Sequence, residues 1–537
     1  MVITVAGLVV LALGGAVLIK ALGGDDNGAN ADTLSAGSCD KPINVSIAAA
    51  PELQPEVEAA AKSLQGRDDG GACATFKVSA QSPAEVAQAV ATGGKRPDLW
   101  IPDSSMWVNR ADDGQSLPLV AVPSLATSPL VIVGKQRAFA NTSSWLAMFQ
   151  GNQPALLDPL NTAVGAEALF ALQAERGKTR AGDNTMAQLI VPLAQRHGSM
   201  AKPYTDIDGL FGRAAPGDSP IIVPATEQAF VAFQEQRPDT SLQIVVPDTG
   251  TLVLDYPLVV TAKDNAAKIG DAGKRLAQEL RSDASARALD QAGFRPATGE
   301  ELSGGRGIGD LTLLTKPEPG DAERTLQQWA TLALSAHSLA VIDASSSMAT
   351  KVSGNKTWMD LTAEAAATGL SLFPDSSQLG LWGISTKLGG GNRDWAPLVP
   401  IRTLSARVGS GTQRDAMKQG LQKLRGNIGG STGLYEAALA AYRTVQDSYD
   451  PRSINAVMIF TDGYSTNAGN LTLNDTLTAL QRLRDPARPV RLIAIGMGPD
   501  VDMASLDKLA RATGGQSYLA RSPDAIKSVF IDALKHR

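Results

Sequence analysis

Histidine is nearly missing from this sequence of 537 residues, which contains only His197, His337 and His536. None of the three stands in a metal-ligand or nucleophile motif, so the sequence gives no support to catalysis by histidine. An excess of basic charge is missing as well, because 49 Lys and Arg residues stand against 54 Asp and Glu residues. The net charge of -5 excludes the strongly basic proteins, and we expect no nucleic-acid partner.

Cysteine is almost as scarce, since Cys39 and Cys73 are the only two. They flank one predicted strand-helix unit, and a pair so placed predicts a single disulfide and therefore an extracytoplasmic location. A lipid-anchored Cys39 is disfavoured, because the preceding Ala36-Gly37-Ser38 lacks the large apolar residue expected at such a site. Two free, buried thiols are the remaining alternative.

A long hydrophobic run opens the chain: only Thr4 and glycines interrupt it between Val2 and Ile19, and Lys20 closes it. A helix of this length barely spans the bilayer core. A cleaved signal peptide is the alternative, but the small residues at 29–31 lie far from the run. We favour an uncleaved transmembrane helix, a single-pass location in the cell membrane and an extracytoplasmic bulk, although a Lys after the run indicates the opposite orientation.

The remaining composition is that of an ordinary globular protein, with 43% hydrophobic and 19% charged residues. The length predicts two or three domains, and strand patterns alternating with helical ones predict α/β folds with largely parallel sheets. Between Gly304 and Gly320, glycine, proline and charged residues interrupt the hydrophobic periodicity of both helices and strands, which favours a linker there. The predicted organisation is an anchor or signal segment at 1–22, a flexible tether at 23–41, an α/β domain at 42–298, a linker at 299–325 and a second α/β domain at 326–537.

Oxygen-bearing side chains follow three segments of the second domain. Asp343, Ser345 and Ser347 come directly after a predicted buried strand, Thr432 lies in a Gly-rich turn that opens a helix, and Asp462 ends another strand. Because open α/β sheets place ligand sites at the carboxyl ends of their strands, we expect these oxygens to converge. Few carboxylates and several neutral oxygens suit a hard cation, with Mg²⁺ preferred and Mn²⁺ or Ca²⁺ as alternatives.

These five residues carry a resemblance to the von Willebrand factor type A domain over Leu326 to Arg537, because they match its metal-ion-dependent adhesion site. The resemblance implies a doubly wound, Rossmann-like fold. It also implies a coordination position left open for an Asp or Glu carboxylate of a protein partner. The alternative is a metal ion that only holds loops together.

The pattern from Pro42 to Ala297 resembles bacterial extracellular solute-binding proteins, in which two α/β lobes are joined by crossing strands. The supporting segments are Pro97 to Asp103, Leu130 to Val133, Leu252 to Val260 and Ala292 to Pro296. The resemblance implies that a small solute binds between the lobes. The candidate ligand-binding residues are Asp103, Ser104, Ser105, Asn161, Thr162, Thr226, Glu227 and Tyr256. Each of them has an alternative role as a helix cap or turn residue.

Three functions compete. The first is a membrane-anchored, extracytoplasmic binding protein that captures a solute and grips a partner through its metal ion. The second is the solute receptor of an ABC-type importer, with the C-terminal domain as a docking platform. The third is a chelatase or hydrolase subunit, which the missing Walker loop and the missing arrangement of nucleophile, base and histidine disfavour. We therefore expect a binding protein and not an enzyme.

Overall fold

A computed structural model describes residues 42–65, 74–112, 114, 117–176, 183–200, 204, 206–353, 355–391, 393–463, 471–498, 501–521, 525 and 529. Among the helices of these ranges, none combines the length and the hydropathy that a membrane span requires. The predicted anchor and tether lie outside the described residues, as do Cys39 and Cys73. The predicted disulfide therefore stays a prediction, although the two strands that the cysteines precede pair side by side, with Ile43 opposite Ala74.

The first unit of the chain alternates short strands with helices, as predicted. Its elements are β1 (Ile43–Ala49), α1 (Gln54–Ser63), β2 (Ala74–Ala80), α2 (Pro83–Ala91), β3 (Leu99–Ile101), α3 (Met106–Arg110), β4 (Leu119–Val122), β5 (Ala126–Gly134), α4 (Trp145–Gly151), β6 (Gln153–Pro154), α5 (Ala163–Arg176), α6 (Asp183–Gly198), α7 (Ile207–Ala214), β7 (Ile221–Thr226), α8 (Glu227–Gln236), β8 (Gln243–Val245), β9 (Val253–Leu254), β10 (Leu258–Val260), α9 (Ala266–Leu280), α10 (Asp283–Gln291) and β11 (Arg295–Pro296).

These strands form two sheets, and the chain passes between them more than once. One sheet has the order β2-β1-β3-β10-β4, and the other has the order β11-β5-β7-β6 with β8 and β9 also paired to β5. Strand β1 is parallel to β2 and β3, whereas β10 runs antiparallel to β3 and β4. The first unit is therefore a mixed α/β structure built on two sheets, each with its own core.

The segment from Leu252 to Val260 departs from the prediction of a single strand. It divides into β9, which pairs with β5 in the second sheet, and β10, which belongs to the first sheet. The break falls at Tyr256, whose φ of 36° is far from a strand conformation, and Pro257 cannot donate a backbone hydrogen bond. The segment crosses between the sheets, but through a kink.

Helix packing on the first sheet follows from sequence spacing. In α9 the buried residues Ile269, Ala272, Leu276 and Leu280 recur every three or four positions, so they form one apolar stripe along the helix. This stripe belongs to the same hydrophobic core as the buried residues of β1, β3 and β10. The helix therefore covers one face of the sheet.

The segment predicted as a linker at 299–325 packs on the first unit. Leu313 bridges to Thr251, and Leu314 is buried in the core around α5. Helix α11 (Pro319–Ala333) then runs across the predicted boundary between residues 325 and 326 and places three spaced side chains, Leu326, Trp329 and Leu332, in that same core. The helix therefore packs against the first unit, because its apolar stripe fits that core.

The second unit begins after α11. Its elements are β12 (Ser335–Asp343), β13 (Lys351–Ser353), β14 (Lys356–Thr357), α12 (Trp358–Leu372), β15 (Gln378–Ile384), β16 (Trp395–Thr403), β17 (Arg407–Val408), β18 (Gly411–Thr412), α13 (Gln413–Arg425), α14 (Leu434–Asp447), β19 (Ser453–Thr461), α15 (Leu473–Leu483), β20 (Arg491–Met497), α16 (Met503–Ala512) and β21 (Ser517–Ala520).

One six-stranded sheet organises this unit in the order β16-β15-β12-β19-β20-β21. All its pairings are parallel except that of the edge strand β16 with β15. Along β12, Leu339 and Val341 enter a core with α14, α15 and α16, whereas Ile342 enters a core with α12 and α13. Because alternate side chains point to opposite faces, helices cover both faces of the sheet. Neighbouring strands β12 and β19 end at the same edge.

Candidate functional site

The carboxyl ends of β12 and β19 bring the predicted metal-binding residues together. Asp343 is the last residue of β12, and Asp462 directly follows β19. The backbone amide of Ser345 donates a hydrogen bond to Asp343 Oδ1 at 2.8 Å. The Ser345 and Ser347 hydroxyl groups lie 3.0 Å apart, and Ser347 Oγ donates to Asp462 Oδ1 at 2.7 Å. A continuous chain of hydrogen bonds therefore joins the two carboxylates.

Thr432 completes the predicted group from a third segment. Its hydroxyl lies 3.2 Å from Asp343 Oδ2, to which it donates. Thr461 donates to the same oxygen at 2.6 Å, so this neighbour of Asp462 orients the Asp343 carboxylate. All five predicted residues thus belong to one cluster, which we call the oxygen cluster: Asp343, Ser345, Ser347, Thr432 and Asp462.

Burial controls the electrostatics of the oxygen cluster. Removal from water raises the pKa of Asp343, although the hydrogen bonds from Thr461, Ser345 and Thr432 act in the opposite direction. Burial, assisted by the nearby charge of Asp343, raises the pKa of Asp462 to about 6. Both shifts have burial as their main cause, and a cation bound beside the two carboxylates would act in the opposite direction.

A neighbouring loop holds Thr432 in place. Gly430 adopts a φ of 72°, in the left-handed region that favours glycine, and its carbonyl accepts a hydrogen bond from the Ser346 amide at 3.0 Å. Thr386 Oγ1 lies 2.8 Å from both the amide and the carbonyl oxygen of Ser431. The loop before Thr432 is therefore tied to the ends of β12 and β15.

The oxygen cluster is open on one side. Asp343 has no exposed surface, and Ser345 and Thr432 are 2% and 3% exposed, whereas Ser347 is exposed and Asp462 is 7% exposed. The oxygens therefore run from a buried carboxylate to the protein surface. This geometry gives an incoming group access to the cluster from the Ser347 side.

In the first unit, the three predicted residues after β3 have specific partners. Ser104 Oγ donates to Glu167 Oε1 at 3.1 Å, and Ser105 binds both carboxylate oxygens of Asp255 through its amide and hydroxyl at 2.7 Å each. Asp103 Oδ1 accepts from Trp107 Nε1 at 2.7 Å. Residues of α5 and of the β9–β10 crossing thus meet the start of α3, between the two sheets.

Tyr256 belongs to the same region. Its hydroxyl donates to Glu52 Oε1 at 2.9 Å, and its ring is fully buried. Burial and the charges of Glu52 and Asp103 raise the pKa of Tyr256 well above its usual value. Burial and the charge of Glu52 also raise the pKa of Asp103. Tyr256, Asp103, Ser104 and Ser105 therefore line one acidic region.

The other four predicted ligand residues have local structural roles. Asn161 and Thr162 bond to Asp158 at 2.7 and 2.8 Å, and the Thr226 hydroxyl caps α8 by accepting from the Ala229 amide at 3.1 Å. These contacts agree with the alternative of cap and turn residues.

Glu227 forms a fully buried ion pair with Arg295, at 2.6 and 2.8 Å. The same two side chains reach the segment after β11, because Glu227 Oε1 also accepts from the Ile308 amide and Arg295 Nη2 donates to the Gly309 carbonyl. The ion pair therefore fastens the predicted linker to the first unit.

Several residues of these two regions were not predicted. Glu167 lies within a helix, Asp255 within a supposed strand and Lys316 within a supposed linker, so no local motif marked them. Lys316 Nζ lies 3.6 Å from Glu167 Oε1 and 3.5 Å from Asp255 Oδ2. Thr461 and Glu52 were recognisable in principle, because each stands at or just after the end of a parallel strand.

Comparison with known proteins identifies one family model. Residues 45–295 match the model described as bacterial extracellular solute-binding protein. An uncharacterized protein of Mycobacterium tuberculosis, found in strains H37Rv and CDC 1551, is 26% identical over 485 residues, which cover 82% of this chain and 68% of that protein.

Solved structures of two kinds align with parts of the chain. A periplasmic thiamin binding protein aligns with 54% of this chain and 95% of its own length, at 15% identity and a TM-score of 0.42. A von Willebrand factor type A protein from Catenulispora acidiphila aligns with 38% of this chain, at 19% identity and a TM-score of 0.28; the alignment spans only 42% of that structure. Residues 45–295 are thus the part of this mixed α/β chain that matches the bacterial extracellular solute-binding protein family.

Proposed function

We propose that this chain is an extracytoplasmic binding protein that captures a small solute in its first unit and grips a protein partner through a metal ion in its second. The family match of residues 45–295 supports solute capture. The observation that carries the metal-dependent function is the oxygen cluster, in which all five predicted ligands share one hydrogen-bonded network.

Mg²⁺ is the cation that best suits this donor set, with Mn²⁺ or Ca²⁺ as substitutes. Asp343 and Asp462 supply charge, while three hydroxyl groups supply neutral oxygens, a set that leaves positions for water. Two carboxylates leave the coordination shell open to a further anionic oxygen on the exposed side of Ser347. An Asp or Glu side chain of a partner protein supplies that oxygen in our proposal.

The N-terminal run from Val2 to Ile19 completes the proposal. We assign it as a transmembrane helix that places both units outside the cell membrane. The scarcity of cysteine and the flanking position of Cys39 and Cys73 support this location, because a single disulfide is stable there. In the alternative importer receptor, solute capture stays the same and the second unit serves only for docking.

Calorimetry on the full-length, chelator-stripped protein tests the metal-dependent function. We expect Mg²⁺ to bind at millimolar concentration or below, and Asp343→Ala to remove that binding. Asp507→Ala is the matched control, because Asp507 pairs with Arg511 on the surface of the same unit. If the wild-type chain binds no Mg²⁺, Mn²⁺ or Ca²⁺, the metal-dependent function is wrong and the importer receptor is favoured.

An open coordination position has its own test. Protein loaded with Mn²⁺ should enhance the relaxation of water protons, because an exchangeable water occupies the free position. Added acetate, a model of the partner carboxylate, should reduce this enhancement. Absence of this enhancement would show a closed shell, as expected of a metal ion that only holds loops together. An enhancement that acetate leaves unchanged would show that a carboxylate does not take the open position.

A further inference from the structure

Four carboxylates from separate parts of the first unit meet between its two sheets. We call them the acidic cluster: Glu52, Asp103, Glu167 and Asp255. Two neighbouring serines each bind one of these carboxylates: Ser104 Oγ donates to Glu167, and the amide and hydroxyl of Ser105 donate to Asp255. The charges also act on one another, because after burial the charge of Glu52 is the main cause of the raised pKa of Asp103, and Glu167 contributes to it. The acidic cluster is therefore one electrostatic unit.

Lys316 supplies the cation that contacts this cluster. Its ammonium nitrogen lies 3.6 Å from Glu167 Oε1 and 3.5 Å from Asp255 Oδ2. Burial works to lower the pKa of Lys316, but the charges of Glu167 and Asp255 outweigh it, and the pKa is raised. The side chain keeps 37% of its surface exposed, so this ammonium group is held by the cluster and is also accessible from outside.

One Lys residue leaves the acidic cluster incompletely satisfied. Glu167 is 1% exposed, and its Oε2 atom is buried without a hydrogen-bond partner among the described residues. A buried carboxylate oxygen in this state is costly. The site therefore has unused capacity to accept hydrogen bonds from a positively charged donor.

A cavity of about 440 Å³ opens beside the acidic cluster. Met106, next to Ser105, and Phe170, one helical turn after Glu167, contribute to its walls, and α11 closes the opposite side through Pro319 and Leu326. Pro319 follows Lys316 by three residues, so the chain that delivers the ammonium group also borders the cavity. The cavity also has a polar part, formed by Asn109 and by Arg110 and Glu323, whose charged groups lie 3.9 Å apart. A space with apolar and polar walls thus adjoins the acidic cluster.

We propose that the acidic cluster binds the ammonium group of an organic cation, and that Lys316 is an internal occupant which the solute displaces. The inference rests on the proposed capture of a solute by the first unit and names the chemical class of that solute. The Lys316 side chain serves as the model ligand, since it combines an ammonium group with an alkyl chain. Met106 and Phe170 would receive the alkyl part of the solute.

The acidic cluster fits an ammonium group better than the other charge classes. An anion would meet four carboxylates whose charge Lys316 compensates only in part, which is repulsive. The other cation at the cavity, Arg110, is paired with Glu323 at 3.9 Å. A divalent metal ion requires several ligands to converge on one point, and within the described residues no group of three or more His, Cys, Asp or Glu side chains does so. Dispersed carboxylates suit a donor with several N–H groups.

Titration calorimetry with putrescine, a diamine, tests the proposal on the full-length protein. We expect Lys316→Met to bind putrescine about tenfold more tightly than the wild type, because the internal competitor is lost. Glu167→Gln should weaken binding at least about tenfold, as expected for loss of a charged hydrogen bond. Lys274→Met is the matched control, since Lys274 pairs with Asp271 on the surface, and it should bind like the wild type.

Further ligands separate this proposal from the proposed function. Butane-1,4-diol and succinate replace the ammonium groups by neutral and anionic ones, and neither should bind. Preferential binding of either would retain solute capture and overturn the cationic class. No binding of any of the three to the wild type or to Lys316→Met would overturn this proposal, and no binding in a broad solute screen of the same two proteins would overturn solute capture itself.

A second carboxylate variant keeps the test decisive if the first one misfolds. Asp255→Asn repeats the test of Glu167→Gln at a residue that is 27% exposed, in case the fully buried substitution prevents folding. Equal putrescine affinity of Lys316→Met and the wild type would show that Lys316 is not a competitor. Loss of Mg²⁺ binding in both Glu167→Gln and Asp255→Asn would identify the acidic cluster as a metal site and overturn the proposal.

Discussion

The two polar regions of this chain bury negative charge in different ways. In the first unit, Lys316 contacts Glu167 and Asp255, and Arg295 forms a buried pair with Glu227. In the second unit, the described contacts of Asp343 and Asp462 come from hydroxyl groups and a backbone amide. The first region carries its own cations, whereas no described residue forms an ion pair with Asp343 or Asp462.

This difference separates a structural use of charge, in the pair of Arg295 and Glu227, from a binding use at the oxygen cluster. A buried carboxylate with a matched Arg is satisfied in the absence of any ligand, so its removal should affect folding. A buried carboxylate without a cation has a raised pKa, and its removal should affect ligand binding more than folding. The substitutions below test this division, beginning with the largest expected effect.

Arg295→Met should produce the largest loss of stability. The substitution leaves Glu227 as an unpaired charge at a site with no exposed surface, which costs about 3–5 kcal/mol. It also removes the bond from Arg295 to the Gly309 carbonyl. Urea unfolding followed by hydrogen exchange in β5 measures the effect on the first unit, and the exchange of β12 should change little.

The double variant Arg295→Met with Glu227→Gln controls for the loss of the Arg side chain itself. Because it removes both charges, it should recover a substantial part of the lost stability. If the single variant is as stable as the wild type, the ion pair does not hold the first unit together, and Glu227 is again a candidate for solute contact.

Asp343→Asn should have the next largest effect, on Mg²⁺ affinity rather than on folding. Loss of one of two carboxylates should weaken the binding of a hard cation by at least about 100-fold, which corresponds to about 2.7 kcal/mol. The metal-free protein should keep its thermal stability, because an amide of the same shape removes a buried charge that repels Asp462. Calorimetry and thermal unfolding with chelator measure the two effects; a large loss of metal-free stability would contradict the division.

Gly433→Ala should have a smaller effect on the same site. A Cβ atom at residue 433 would collide with the side chain of the buried Asp394, so the loop must shift and move Thr432 away from Asp343. Repositioning one neutral ligand should weaken Mg²⁺ binding about tenfold. Gly429→Ala, in the same loop, is the matched control, because a Cβ atom there meets nothing within 4 Å. Equal affinities of the two variants would show that the loop does not position Thr432.

The oxygen cluster of the second unit could be predicted from the sequence, because its two carboxylates stand where parallel strands end. Asp343 and Asp462 stand at or just beyond the ends of strands that lie side by side, and the parallel sheet brings such ends together. The edge strand β16 is not recognisable from the sequence, since Pro397 and Pro400 interrupt its pattern and prolines argue against a strand interior. A parallel sheet thus makes it predictable that side chains at strand ends come together, even when one edge strand cannot be predicted.

The first region could be predicted only in part. Asp103, Ser104, Ser105 and Tyr256 were identified as lining residues, and the structure places them in one region. Its remaining charges come from a helix interior and from the segment that resembled a free linker. Their meeting depends on how α5 and α11 pack, which sequence spacing does not fix. The acidic cluster therefore follows from tertiary structure, whereas the oxygen cluster follows from topology.

The smallest expected effect is a change in the pH dependence of stability. Burial raises the pKa of Glu52 and of Glu167, and burial together with the charge of Glu52 raises the pKa of Asp103. Between the ordinary and the raised pKa values, the native protein binds more protons than the unfolded chain. The stability contributed by these groups is therefore fully present below their ordinary pKa values and is lost as the pH rises through the raised ones.

Glu167→Gln should flatten this pH dependence in the first unit, because the neutral amide binds no proton in either state. Segment-resolved hydrogen exchange of β5 at pH 5 and pH 8 measures the difference in stability between the two pH values, and β12 in the second unit is the internal reference. The substitution should narrow the difference between the two pH values without reversing it, since Glu52 and Asp103 keep their raised pKa values. An unchanged difference in β5 would show that Lys316 compensates the charge of Glu167 in full, and the acidic cluster would then resemble the pair of Arg295 and Glu227 instead of a site open to a cation.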